Sequence, residues 1–248
     1  MDCIEYMRTL PSECIDLIIA DPPYFKVINQ TWDYQWKKLG DYLDWCLLWF
    51  KECYRILKKG GSFYCYGYFR ILAHQLRILE ELGFSTRQQI IINKGLRAIG
   101  GRATKNYKMF PNVTESLLFM VKDSYPYVKQ LLKERQIELK ISSKEINNFL
   151  GVKSNGGGMW SIYTGNNVSR QIPTKEMWVK LQEILKFDIP YESIGITFNI
   201  EMGITDVWDD IDFYKEKRVH PTQKPLSVCE RIIKASSNEG DLVYIPFA

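Results

Sequence analysis

Short, almost wholly apolar runs alternate along the chain with segments whose apolar residues recur every three or four positions. Ile15 to Ala20 is of the first kind. Rich in isoleucine and bounded by Pro11-Ser12-Glu13 and by Pro22, it predicts a buried strand of a parallel sheet. Ser62 to Tyr68, Gln88 to Ile92 and Thr114 to Lys122 read the same way. Helical spacing holds for Ile4, Met7 and Leu10, with Asp2 placed as an N-cap. It holds again from Asp41 to Leu57, where Lys58-Lys59-Gly60-Gly61 supplies a basic end and a stop, and from Ile71 to Leu82 before Gly83. Strands and helices in alternation predict an α/β fold with a doubly wound, mainly parallel sheet.

From Asp123 to Val219 the pattern changes. The segment is polar and lysine-rich, with helical spacing in Val128 to Leu139, Ser142 to Leu150 and Thr174 to Leu185. Ser142 and Glu145 form a capping box, and Pro173-Thr174 marks another helix start. Asn155-Gly156-Gly157-Gly158-Met159-Trp160 reads as a glycine hinge between them. The spacing is too long for a compact helix-turn-helix, so 123–219 reads as an inserted small helical region for target recognition, or as a structural cap. Within it Asp206 to Tyr214 interleaves acids with Val207, Trp208, Ile211 and Phe213 and is expected to pack back on the sheet. Residues 1–122 and 220–248 then flank the insert.

With 248 residues, 46% hydrophobic and 25% charged, the composition is that of a globular protein. The six cysteines include no C-x-x-C pair and the only histidines are His74 and His220, which suits neither a zinc site nor a disulfide scaffold. Reduced thiols, no leader and no apolar run of membrane-spanning length make a cytoplasmic protein without a membrane partner the expectation. A net charge of +4 is compatible with a polyanionic partner, and its distribution matters more than its size. Lys94, Arg97, Arg102, Lys105 and Lys108 lie in one acid-free, glycine-containing stretch, which predicts either phosphate contacts or a solvated loop. Trp32, Tyr34 and Trp36 either line a nucleic-acid channel or pack under their loop.

The candidate chemistry sits directly after the first strand, in Asp21-Pro22-Pro23-Tyr24. Two prolines cannot donate to a ladder, so the backbone leaves the sheet as a stiff loop at the strand's carboxyl end, where open α/β sheets bind ligands. A carboxylate and the Pro22 carbonyl together accept the two hydrogens of an exocyclic amine, and the Tyr24 ring offers a face for a flat base. The plainer alternative is a Pro-Pro turn that ends a strand.

Asp21-Pro22-Pro23-Tyr24 resembles the catalytic motif of DNA amino-methyltransferases, in the form typical of those that make N6-methyladenine. His220-Pro221-Thr222-Gln223-Lys224-Pro225, followed by helical Leu226, Val228, Ile232 and Ile233, resembles the segment before the cofactor-binding glycine loop of the permuted, beta-type members. The resemblance implies a Rossmann-like methyltransferase using S-adenosylmethionine. It implies that Asp21 and Pro22 bind an adenine amine, that Pro23 stiffens the loop and that Tyr24 stacks on the ring. It places the cofactor against Asp21, Thr222, Lys224, Pro225 and Phe247, and Asp2 matches an acid that helps hold it. Double-stranded DNA is the implied partner, contacted by the basic stretch and by Arg170. Restriction-modification is the implied setting.

The pattern breaks at the end of the chain. The family continues into an acid and a Gly-x-Gly turn, whereas here Ile245 takes the acid's place and Pro246-Phe247-Ala248 follows. Three accounts stand open: a shortened enzyme, one part of a split enzyme whose companion chain or second copy supplies the glycine turn, or a catalytically silent binding remnant. N4-cytosine methylation is the nearest rival chemistry. Glutamine-amide methylation is analogous, but its motif usually begins with Asn.

Overall fold

Apolar alternation becomes a six-stranded sheet in the computed structural model, which describes all residues except 1, 28–30, 103–107, 152–157, 167, 200, 218, 220–222 and 248. Its strands are β1 (Ile15–Ala20), β2 (Leu57–Gly67), β3 (Phe84–Asn93), β4 (Thr114–Lys122), β5 (Val207–Trp208) and β6 (Val243–Tyr244), in the order β5-β3-β4-β2-β1-β6. β1 runs parallel to β2 and β6, and β3 parallel to β5. β4 lies antiparallel between β2 and β3. The expected α/β sheet is therefore mixed. Among the described residues only a 3-10 turn, Leu96–Arg102, lies between β3 and β4, and without a helical crossover the chain returns antiparallel.

Period-two alternation gives β1, β2 and β4 two buried faces. Ile18, Ala20, Phe63, Cys65, Leu118 and Met120 share a core with α1 (Cys3–Thr9), α2 (Leu39–Ile56) and α3 (Phe69–Glu81). On the other face Tyr64 stacks on Phe119 at 4.5 Å, Phe119 meets Phe198 at 5.5 Å, and the Tyr64 hydroxyl lies 2.7 Å from Ser236 Oγ of α8 (Leu226–Ser236). Gly83, at φ +105°, ends α3 where a Cβ would come within 2.8 Å of Tyr54 Oη.

The chain divides into two compact units, Met1–Lys122 with Thr197–Ala248, and Asp123–Ile196. The helical unit thus stops at Ile196 and not at 219. Residues after it join the sheet because β5 pairs with β3 and because Trp208, Ile211 and Phe213 are buried, as their alternation with acids predicts. The helical unit contains α4 (Tyr125–Leu139), α5 (Ser143–Leu150), α6 (Gly158–Thr164) and α7 (Lys175–Leu185) around Val128, Leu132, Ile146, Trp160, Tyr163, Trp178 and Leu181. α6 replaces part of the expected hinge, whose residues 155–157 lie outside the described set. Burial of Trp160 and Tyr163, with Asn147 Oδ1 accepting from the Trp160 amide at 3.0 Å, outweighs the poor helix propensity of Gly158. Among the described residues no helix is long and apolar enough to cross a membrane.

Candidate functional site

Alternation along three strands assembles the site. Asp21 follows Leu17 and Ile19 on the face that α8 covers, Tyr66 follows Tyr64, and Glu115 precedes Leu117 and Phe119. The pairing of Ala20 with Cys65 and of Gly67 with Ser116 brings these three to the same end of the sheet. This end holds the carboxyl ends of β1 and β2 and the start of β4, and Lys224 enters it just ahead of α8.

Lys224 Nζ donates to both oxygens of Asp21, at 3.0 and 2.9 Å, and lies 3.7 Å from Glu115 Oε2. The Tyr24 hydroxyl donates to Asp21 Oδ1 at 3.0 Å. The ammonium also stands 5.3 and 5.2 Å from the ring centroids of Tyr24 and Tyr66, so two carboxylates and two aromatic faces surround one cation. Beside it lies a cleft of about 160 Å³ bordered by Tyr24, Gly67, Lys94, Asn112, Glu115 and Ser116.

The loop is rigid for reasons beyond its prolines. The Tyr42 hydroxyl donates to the Pro23 carbonyl at 2.9 Å, and Gln75 Nε2 supports Tyr42 Oη at 3.2 Å. Phe25 packs on Tyr42 at 5.7 Å, and the Lys26 amide donates to the Asp33 carbonyl at 3.1 Å. Trp36 packs beneath, 4.9 Å from Tyr42 and 4.8 Å from Trp45. Tyr34 is exposed, and Trp32's side chain is not among those described.

Burial pushes the Asp21 carboxyl above its ordinary 3.8, and the charge and hydrogen bond of Lys224 oppose that rise. Tyr24 is held well above 10.0 by burial and then by the Asp21 charge, so it stays a donor. A raised folded-state value means that the folded chain holds this proton more tightly than the unfolded one. The stability Asp21 contributes therefore falls as pH rises from 3.8 through that value, while its capacity to accept as a carboxylate is lost as pH falls through it. A ¹³C-carboxyl titration is expected to place the Asp21 midpoint above 3.8, and to place it higher again in Lys224→Met. A midpoint unmoved by that substitution would show that Lys224 does not hold the charge.

The other expected positions separate into groups. Pro22, Pro23, Lys224 and Pro225 join Asp21 and Tyr24, with Lys224 turned toward the acid. Phe247 follows β6 and packs 5.1 Å from Trp49 and 6.0 Å from Trp45. Asp2 caps α1, accepting from the Ile4 and Glu5 amides at 2.9 and 3.3 Å. Lys94 turns inward to Glu115 Oε1 at 3.4 Å, while Arg97 and Lys108 are exposed. Arg170 is exposed in the helical unit, over the Tyr125 ring at 5.4 Å. Thr222 and Lys105 lie outside the described residues, as does the side chain of Arg102.

Sequence reasoning missed Glu115, Tyr66, Tyr42 and Gln75. Gln75 left a trace, a polar residue inside the apolar stripe Ile71, Leu72 and Leu79. Glu115 left only its place at the start of a strand.

The DNA methylase family model for N6 and N4 amino-methylation matches residues 15–248. The chain belongs to this family. It is 34% identical over 267 residues to the type II methyltransferase M.HinfI of Haemophilus influenzae, covering 99% of this chain and 57% of that protein. It is 27% identical over 262 residues to the DNA adenine methyltransferase YhdJ of Escherichia coli, covering 100% and 69%. This DNA methylase chain thus spans between about half and about two-thirds of the length of the curated relatives it matches. TTHA0409, described as a DNA modification methylase from Thermus thermophilus, has a crystal structure similar to it with a TM-score of 0.51 at 21% identity, over 100% of this chain and 77% of that one. That likeness is one of fold.

Proposed function

We propose that the chain carries the base-binding side of a DNA amino-methyltransferase that transfers a methyl group from S-adenosylmethionine to N6 of adenine in a specific sequence of duplex DNA. One observation carries the reading: Asp21, at a strand's carboxyl end, already binds a nitrogen donor through both oxygens beside the Tyr24 ring and an open cleft. An adenine amine presents N–H groups of the same kind, and a flat ring suits Tyr24. The base must leave the stack to reach the cleft, at a cost of roughly a few kcal/mol.

The residues at this end of the sheet fit the cofactor. A sulfonium is a cation, and the acid and ring faces that surround the Lys224 ammonium suit one. Asp21 and Phe247 would border it, Phe247 because β6 runs parallel to β1 and so brings its own carboxyl end to the same edge. When bound, S-adenosylmethionine supplies the electrophilic methyl group. Asp21 orients the amine and stabilises the positive charge that grows on nitrogen, and no proton need leave before transfer. Tyr24 holds the ring, and Tyr42 holds the Pro23 backbone that carries both.

Duplex binding is supported by exposed Arg97 and Lys108 beside Leu96, Met109 and Phe110, which are 80%, 75% and 96% exposed. Basic groups beside projecting apolar ones suit phosphate contact and insertion at a base step. Adenine is favoured over cytosine by the Asp that opens the motif.

The test incubates the 248-residue chain with DNA and S-adenosylmethionine labelled in its methyl group, then separates the nucleosides. Any label transferred is expected in N6-methyldeoxyadenosine. Label in N4-methyldeoxycytidine would replace adenine with cytosine. DNA binding without labelled product and without cofactor binding would favour the silent reading.

A further inference from the structure

Among the described residues the buried Glu115 Oε2 has no hydrogen-bond partner, which is uncommon for a carboxylate oxygen. Lys224 Nζ lies 3.7 Å from that oxygen, and its ammonium is instead bonded to both oxygens of Asp21. Lys224 is almost wholly buried, with 7% of its side chain exposed. A lysine that served only to neutralise Asp21 would need no second carboxylate within reach. Nor can its position be shared: a nitrogen within 3.0 Å of both Asp21 oxygens stands where the amine of a bound base would stand.

We infer that Lys224 is a placeholder for the substrate amine, and that Glu115 is the acceptor to which its ammonium moves when a base enters. This rests on the function proposed above and adds two positioning residues to it. Closing 3.7 Å to an ion-pair hydrogen bond of about 2.8 Å takes a shift of about 1 Å, within the reach of a four-carbon side chain. The move gives Glu115 Oε2 its missing donor and frees the Asp21 lone pairs. The buried ammonium never loses a carboxylate partner, and so avoids the heavy cost of an uncompensated buried charge. Lys94, on Glu115 Oε1, keeps that carboxylate aimed.

The experiment compares two probes on the whole chain by NMR titration: 9-methyladenine, and 9-methylpurine, which lacks the amine. The wild type is expected to prefer 9-methyladenine. Glu115→Gln should lower that preference roughly tenfold, because a neutral amide accepts from an ammonium more weakly, and should leave 9-methylpurine binding unchanged. In a Lys224→Met background the effect of Glu115→Gln should vanish, since no ammonium remains to be received. Should Lys224→Met not fold, Lys224→Gln removes the charge and carries the same comparison. A Glu115→Gln effect that persists without Lys224 would mean that Glu115 touches the base itself, and the placeholder would be wrong. So would an unchanged preference in a folded Glu115→Gln variant. Equal affinity of the wild type for both purines is a different result, which removes the adenine reading and the placeholder with it.

Discussion

Asp21→Ala is expected to abolish measurable methyl transfer while the chain still folds. The substitution removes the carboxylate proposed to hold the amine, leaving only the Pro22 carbonyl, and with it the charge that favours the cationic transition state. Loss of a single well-placed donor or acceptor of this kind costs about 10²- to 10³-fold in rate, and here two functions go together. The fold should survive because Asp21 stands beyond the last residue of β1 and contributes no strand pairing, and because Lys224 retains Glu115 as a partner. Methyl incorporation into DNA, read beside the thermal unfolding of the same preparation, separates the two effects. Normal incorporation by the variant would remove Asp21 from the mechanism.

Trp49→Ala is expected to cost about 3–5 kcal/mol of stability, the range for deleting a large buried aromatic. Trp49 is 0% exposed and its ring meets Phe50 at 4.1 Å, Phe247 at 5.1 Å and Phe63 at 6.2 Å. It therefore ties α2 to β2 and to the residues after β6, and the cavity it leaves cannot close without moving all three. Denaturant unfolding followed by tyrosine and tryptophan fluorescence should show a lowered midpoint. A change under about 1 kcal/mol would mean that the surrounding aromatics collapse into the space.

The alternation of Ile15 to Ala20, ended by Pro22-Pro23, was enough to place a buried strand and a loop leaving its carboxyl end, because hydrophobic period and proline chemistry act over a few residues. The helical periods from Asp41, Ile71, Thr174 and Leu226 were legible for the same reason. The amine-binding role proposed for Asp21 and Tyr24 rests on residue type at fixed spacing. Local pattern could not give the direction of β4, since strands of either sense bury the same apolar residues and the sense depends on the connection from β3, in which the described residues form only a 3-10 turn. Nor could it place Glu115 and Lys224 beside Asp21, from which they stand far apart along the chain. That meeting depends on strand order and register, which are settled by how whole faces of the sheet pack. The sequence by itself thus determined the elements and the residues that end β1, while the tertiary structure alone decided which distant charges surround them.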